Sequence, residues 1–238
     1  MGGLLDELER RGRFEDTVIV VVADHGDATG EHALLGHEYS LYDTLLRVPL
    51  LIRQPRLFPP GRSAGPVQIV DLYPTLLNVA GVSPPAGYSV EGRSLLAFDA
   101  AAARRRAIVA EYLRPKRKPL DAVARLHPDL EREHWLRPIR SIEVGGYKLI
   151  AREGEQPELY AVANDADERV DIAQRDPARV SALLARLAAW DAERAAAGGL
   201  RPGAERAPAL DAEHRALLET LGYAEPSRDA RLPVGASR

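Results

Sequence analysis

The chain contains no cysteine in its 238 residues. That excludes disulfides, thiolate metal sites and a cysteine nucleophile within it. It has no apolar run near the roughly 18 residues that would nominate a membrane span. It has no basic excess either: 32 Lys and Arg against 35 Asp and Glu leave a formal net charge of -3. Nucleic-acid or membrane-surface binding driven by bulk electrostatics is therefore not expected. Met1-Gly2-Gly3-Leu4-Leu5-Asp6 offers neither the basic segment nor the apolar core of a signal peptide. Asp6 also stands where a myristoylation pattern needs Ser or Thr. What is present, 45% hydrophobic and 28% charged residues, is an ordinary composition for a soluble globular protein. The compartment stays open, and no internal repeat is found.

The chain is organised around Thr17 to Arg53. Val18 to Ala23 is a continuous apolar run of β-branched and small residues, which predicts a strand buried on both faces of a parallel sheet. It stops at Asp24-His25-Gly26-Asp27. Two side chains able to bind metal thus leave the carboxyl end of a central strand, where open α/β sheets place their ligands. A polar loop with Glu31, His32 and His37 follows. Ser40 to Leu46 predicts a short helix with Ser40 as N-cap, and Val48 to Ile52 a second buried strand.

Asp24 and His25 would point to opposite faces of a regular strand, but the backbone turn after Ala23 lets both converge on one ion. A carboxylate with an imidazole suits manganese, iron or zinc better than calcium or magnesium. The alternative is an Asx-turn with an incidental histidine, and the dipeptide by itself favours that alternative.

Farther along, Leu4 to Arg11 predicts an amphipathic helix stopped by Gly12. Asp71 is expected to cap a helix over Leu72 to Ala80. Ala107 to Tyr112 is the next strand, and Arg114 to Lys118 a basic loop. Ser141 to Ile150 predicts a hairpin about Gly145-Gly146, with Glu158 to Val162 as a third strand. Pro177 opens a long helix with Val180, Leu183, Leu184 and Leu187 at helical spacing. Asp211 caps a last helix before a tail from Pro226. His127 and His134 have no partner spacing, and no metal role is assigned to them.

The ordered series Asp24-His25-Gly26-Asp27, Gly30-Glu31-His32, Gly36-His37, Leu41-Tyr42-Asp43 and Arg47-Val48-Pro49-Leu50 resembles the sulfatases and their relatives in the alkaline phosphatase superfamily. Tyr147-Lys148-Leu149 and Glu158-Leu159-Tyr160 are similar to the sulfatase C-terminal subdomain. The match loosens at Ala161 and at Asn164 to Glu168, where the family has Asp-Pro-x-Glu. The resemblance implies an α/β fold: the C-terminal part of an alkaline-phosphatase-like sandwich with a mostly parallel sheet, then a small antiparallel-sheet-plus-helix subdomain. Residues 1–139 would be the C-terminal half of the catalytic domain, 140–200 the small subdomain, and 201–238 linker, terminal helix and tail.

It further implies a metal-dependent hydrolase of sulfuric esters. Asp24 and His25 would bind a divalent ion (manganese, calcium or zinc). His37 would be both catalytic and substrate-binding, placed where many sulfatases carry Lys and phosphatase-type members carry His. His32 would ligate or pack the loop. The family nucleophile lies in a Cys/Ser-x-Pro-x-Arg motif, its Cys or Ser converted to formylglycine. No such motif occurs here, so the chain is expected to be a fragment without turnover, with formylglycine only in the absent half. The partner would be a small-molecule sulfate or phosphate ester, with no nucleic acid and an open oligomeric state. Two alternatives remain: a phosphodiesterase or phosphonate monoester hydrolase of the same superfamily, or a non-catalytic remnant whose open sheet edge binds another chain.

Overall fold

A computed structural model describes residues 1–84, 88, 90–126 and 129–196. The expected helix at Asp211, the tail and His127 lie outside these. In chain order the elements are α1 (Gly2–Arg10), β1 (Ile19–Val22), β2 (Ala28–Thr29), β3 (Leu35–Gly36), α2 (Asp43–Leu46), β4 (Leu50–Arg53), α3 (Leu72–Ala80), α4 (Ala100–Arg105) and β5 (Ile108–Tyr112). There follow α5 (Arg117–Leu126), α6 (Arg132–Trp135), β6 (Ile139–Val144), β7 (Tyr147–Arg152), β8 (Glu158–Tyr160) and α7 (Pro177–Ala196).

The first 53 residues make a two-stranded antiparallel pair, β1 with β4, in the register Val20↔Ile52 and Val22↔Leu50. The mostly parallel sheet is not what this chain's strands build among the described residues, where every pairing is antiparallel. The connection explains it. A parallel return needs a crossover, usually a helix lying along the sheet. Residues 23–49 instead spend their length on a small hairpin and the four-residue α2, so the chain re-enters from the end it left. Nor are β1 and β4 buried on both faces: Val22 of β1 is 38% and Leu51 of β4 is 56% exposed.

The second sheet is better covered. β5, β6, β7 and β8 lie in sequential antiparallel order, so it recruits β5 from before residue 139. β6 and β7 are joined through Gly145 and Gly146, whose φ of 60° and 81° is the positive pair that a two-residue hairpin turn requires. Side chains alternate across it. Ile142, Leu149 and Leu159 face α7 and pack on Leu183 and Leu187. Ile139, Ile150 and Tyr160 face the other way and pack on Leu41, with Tyr42 and Leu46 beside it. The sheet is therefore sandwiched between α7 and the segment that follows the site loop.

Two helix caps differ from expectation. Ser40 is buried outside α2, its hydroxyl without a hydrogen-bond partner among the described residues. The N-terminus of α2 is capped from a distance instead, Asp43 N–H donating to Glu168 Oε2 at 2.5 Å. Asp71 does precede α3, but its carboxylate does not cap that helix. It accepts from Gln68 N, Arg93 N and Arg106 Nη1, because a carboxylate 1% exposed demands a cationic partner. A 3-10 turn over Ile69–Asp71 leads into α3.

Candidate functional site

The strand β1 ends at Val22, and the backbone turns at once. Asp24 Oδ1 accepts the backbone N–H of the next residue, His25, at 3.0 Å. Gly26 N–H donates to Leu45 O at 2.8 Å, tying the turn to α2. The approach is so close that a Cβ on Gly26 would lie 2.0 Å from Thr44 O. Only glycine fits there.

The β2–β3 hairpin then decides which side chains meet. Its register is Ala28↔Gly36 and Thr29↔Leu35, so extending it by one pair sets Asp27 opposite His37. The tip is tight, with His32 and Ala33 at φ of 53° and 58°. Thr29 N–H donates to Glu31 Oε2 at 2.6 Å, and this bond holds the Glu31 carboxyl below its ordinary range.

His25, Asp27 and His37 converge. The two imidazoles stack with centroids 4.3 Å apart and planes at 21°, and His37 Nδ1 lies 3.3 Å from Asp27 Oδ1. One ligand atom from each residue lies within 4.8 Å of the other two. Ligands around a tetrahedral ion at about 2.0–2.2 Å would stand about 3.4 Å apart, so small rotamer changes would close the set. His25 Nδ1 is 2.8 Å from Gly26 O, and a carbonyl can only accept. That bond places the proton on Nδ1 and leaves the Nε2 lone pair for a metal. A divalent ion of borderline softness fits this donor set.

The structure thus brings His25 and His37 together with Asp27, a residue outside the expected ligand pair of Asp24 and His25. The hairpin register was the signal for it. Asp24 stands beside this group, its Oδ2 3.8 Å from His25 Nε2. His32 packs rather than joins: its ring stacks on Tyr42 at 3.6 Å and 6°, and Nε2 lies 3.1 Å from Asp167 O. Tyr42 and Tyr160 both donate to Glu158 Oε2, at 2.7 and 2.6 Å. Burial and those bonds push both phenols well above their ordinary range, so they remain donors at neutral pH. His134, given no metal role, contacts Glu155 at 2.8 Å.

Residues 1–82 match the family model described as Sulfatase. Arylsulfatase K of Xenopus laevis is 27% identical over 191 residues, 79% of this chain and 33% of that protein. N-acetylglucosamine-6-O-sulfatase of Bacteroides thetaiotaomicron is 35% identical over 96 residues, 40% of this chain and 17% of that protein. Among solved structures, one in complex with its substrate D-glucosamine-2-N,6-O-disulfate superposes with a TM-score of 0.62 at 24% identity, covering 86% of this chain and 39% of that one. The phosphonate monoester hydrolase of Agrobacterium radiobacter superposes at 0.60 with 25% identity, covering 82% and 38%. The chain spans about a third of the length of the first of these curated relatives. Residues 1–82 thus match the sulfatase model, the chain is similar to sulfatases over 79% of its length, and its fold is that of the C-terminal part of the alkaline-phosphatase-like architecture.

Proposed function

We propose that this chain supplies the metal-side part of a sulfuric-ester hydrolase site. The convergence of His25, Asp27 and His37 within 4.8 Å, beside Asp24, is the observation that carries the reading. Asp24 and His25 would hold a divalent ion, with Asp27 available as a further carboxylate. Such an ion supplies charge stabilisation for an anionic ester oxygen. His37 is exposed and hydrogen-bonded on Nδ1 to Asp27, which leaves Nε2 as the atom by which a protonated imidazole would bind an ester oxygen or give a proton to the leaving alcohol. Asp27 fixes the orientation of that ring. The nucleophile comes from outside this chain in this reading, because no Cys/Ser-x-Pro-x-Arg occurs in it.

The substrate class is a small sulfate ester, and the relatives that act on sulfated sugars or aryl sulfates support it. A phosphonate or phosphate ester is the second reading, favoured by His37 in place of Lys and by the likeness to phosphonate monoester hydrolase. The test is an assay of the purified 238-residue protein with an aryl sulfate and an aryl phosphonate, alone and mixed with the separately expressed nucleophile-bearing segment of a relative. We expect no turnover alone and, in the mixture, aryl sulfate turnover that Asp24→Ala and His37→Ala remove. Hydrolysis by the chain alone, abolished by Asp24→Ala, would overturn the external nucleophile. Phosphonate turnover exceeding sulfate turnover would select the second reading.

A further inference from the structure

Behind the exposed histidines lies a buried ion cluster that the chemistry above does not use. Lys148 on β7 is 2% exposed, and its ammonium contacts two carboxylates. Nζ donates to Asp43 Oδ1 at 2.7 Å and stands 2.7 Å from Glu168 Oε1, an ionic contact without hydrogen-bond alignment. Glu168 is itself 2% exposed and sits at φ 53°, a conformation side-chain-bearing residues rarely adopt. Its other oxygen accepts Asp43 N–H. The three residues come from the Leu-Tyr-Asp, Tyr-Lys-Leu and Asp-Glu motifs, which are far apart in sequence and meet here at one point.

That point is the first residue of α2. The opposite end of this short helix holds the site, since Leu45 O accepts Gly26 N–H and Thr44 O lies against Gly26. Gly26 stands between His25 and Asp27. A continuous path therefore runs from Lys148 through Asp43 and the backbone of α2 to the turn bearing two members of the ligand group. A second path reaches the third: Arg152, also on β7, donates to Tyr39 O at 3.2 Å, two residues past His37. Lys148, Ile150 and Arg152 share one face of β7 by strand periodicity.

We propose that Lys148 is a positioning residue: through Asp43 and α2 it holds the Gly26 turn in the geometry that brings His25 and Asp27 to His37. The C-terminal sheet is thereby part of the site's construction rather than a separate appendage. The inference rests on the reading of His25, Asp27 and His37 as the site, but its primary test needs no metal and no substrate.

The experiment compares the full chain with Lys148→Met and Asp43→Asn by amide hydrogen exchange, histidine-ring NMR and zinc titration. In Lys148→Met the Gly26 amide should exchange at least tenfold faster while Ile142 and Leu149 in the sheet keep their protection. The ring shifts that His25 and His37 impose on each other should vanish, and apparent zinc affinity should fall about 10- to 100-fold, as for loss of a group that orients ligands. Asp43→Asn leaves the Lys148–Glu168 contact in place and should loosen Gly26 several-fold. It decides the matter if Lys148→Met does not fold. Gly26 protection that is unchanged in the variant that folds, or that falls only in step with Leu149, overturns the proposal. If the wild type takes no zinc but Gly26 and the histidine rings respond, the positioning role stands and the metal reading falls.

Discussion

The two sheets of this protein are built from similarly apolar strands and end up in opposite circumstances. Ile142, Leu149 and Leu159 are 0% exposed, because α7 covers one face and the Leu41 segment the other. β1 and β4 carry equally β-branched or leucine-rich sequence, yet no residue of either strand is fully buried. A run of valines specifies a strand with two faces to hide. It does not specify what hides them. The site is attached to the poorly covered pair, and its stiffness is drawn from the well-covered sheet through α2. Under the proposed role of Lys148, the geometry of the candidate site at one sheet would depend on packing at the other.

The comparison breaks most sharply with one substitution made in both places. Leu149→Ala removes a side chain fully enclosed between β6, β8 and α7, and should cost about 2–5 kcal/mol as transfer and cavity terms combine. Leu51→Ala acts on a side chain 56% exposed and should stay within roughly 0.5 kcal/mol. Urea midpoints of the two variants measure the difference. Comparable losses would mean that β4 is covered in solution.

The next effect falls on the link between the regions. Gly26→Ala places a methyl 2.0 Å from Thr44 O, so either α2 or the turn must shift. Overpacking of this kind costs about 1–3 kcal/mol. The local consequence should exceed the global one: the His25–His37 stacking shifts should disappear from the NMR spectrum. A variant with intact stacking would show that the turn tolerates a side chain, and that α2 does not fix it.

Much of this was legible in the residues. The hairpin at Gly145-Gly146, the helix from Pro177 and the strand ending before Asp24 follow from local periodicity and turn chemistry, which need no tertiary partner. The antiparallel β1–β4 return was hidden, because direction depends on how residues 23–49 are spent and not on the strands. Ser40 as a cap failed for a related reason: Glu168, 125 residues away, outcompetes the local hydroxyl for the Asp43 N–H. His25 and His37 were readable as chemistry. Asp27 was readable only through the β2–β3 register, and Lys148 only through the meeting of three distant segments.

A smaller effect sharpens the site itself. Two imidazoles and a carboxylate form a borderline-soft, open set, so the chain should bind zinc more tightly than calcium, for which imidazole is a poor ligand. His25→Ala should weaken zinc binding at least tenfold, about 1.4 kcal/mol, and leave urea stability nearly unchanged because the ring is exposed. Calorimetry on both proteins checks this. Tight calcium binding that survives the substitution would assign the ion to other residues.

The smallest expected effect concerns the loop that delivers Glu168 to the clamp. Asp165 accepts the backbone N–H groups of Arg169 and Val170 at 3.0 and 2.9 Å, and these two bonds hold its carboxyl below the ordinary range. A depressed carboxyl contributes stability that is present above its unfolded-state value, near pH 4, and is lost as pH falls through the lower folded value. Glu168 runs the other way. Burial raises its carboxyl, with Lys148 opposing, so its protonation on acidification favours the folded state and costs the fold nothing through that group. The Asp165 turn should therefore loosen as pH falls below about 4 while the sheet persists. Val170 amide protection, followed from pH 6 to pH 3, should fall before that of Leu149. In Asp165→Asn the Val170 amide should already be less protected at pH 6 and show little further dependence. If wild-type Val170 and Leu149 instead lose protection together, the loop unfolds only with the sheet, and the clamp has no separately labile arm.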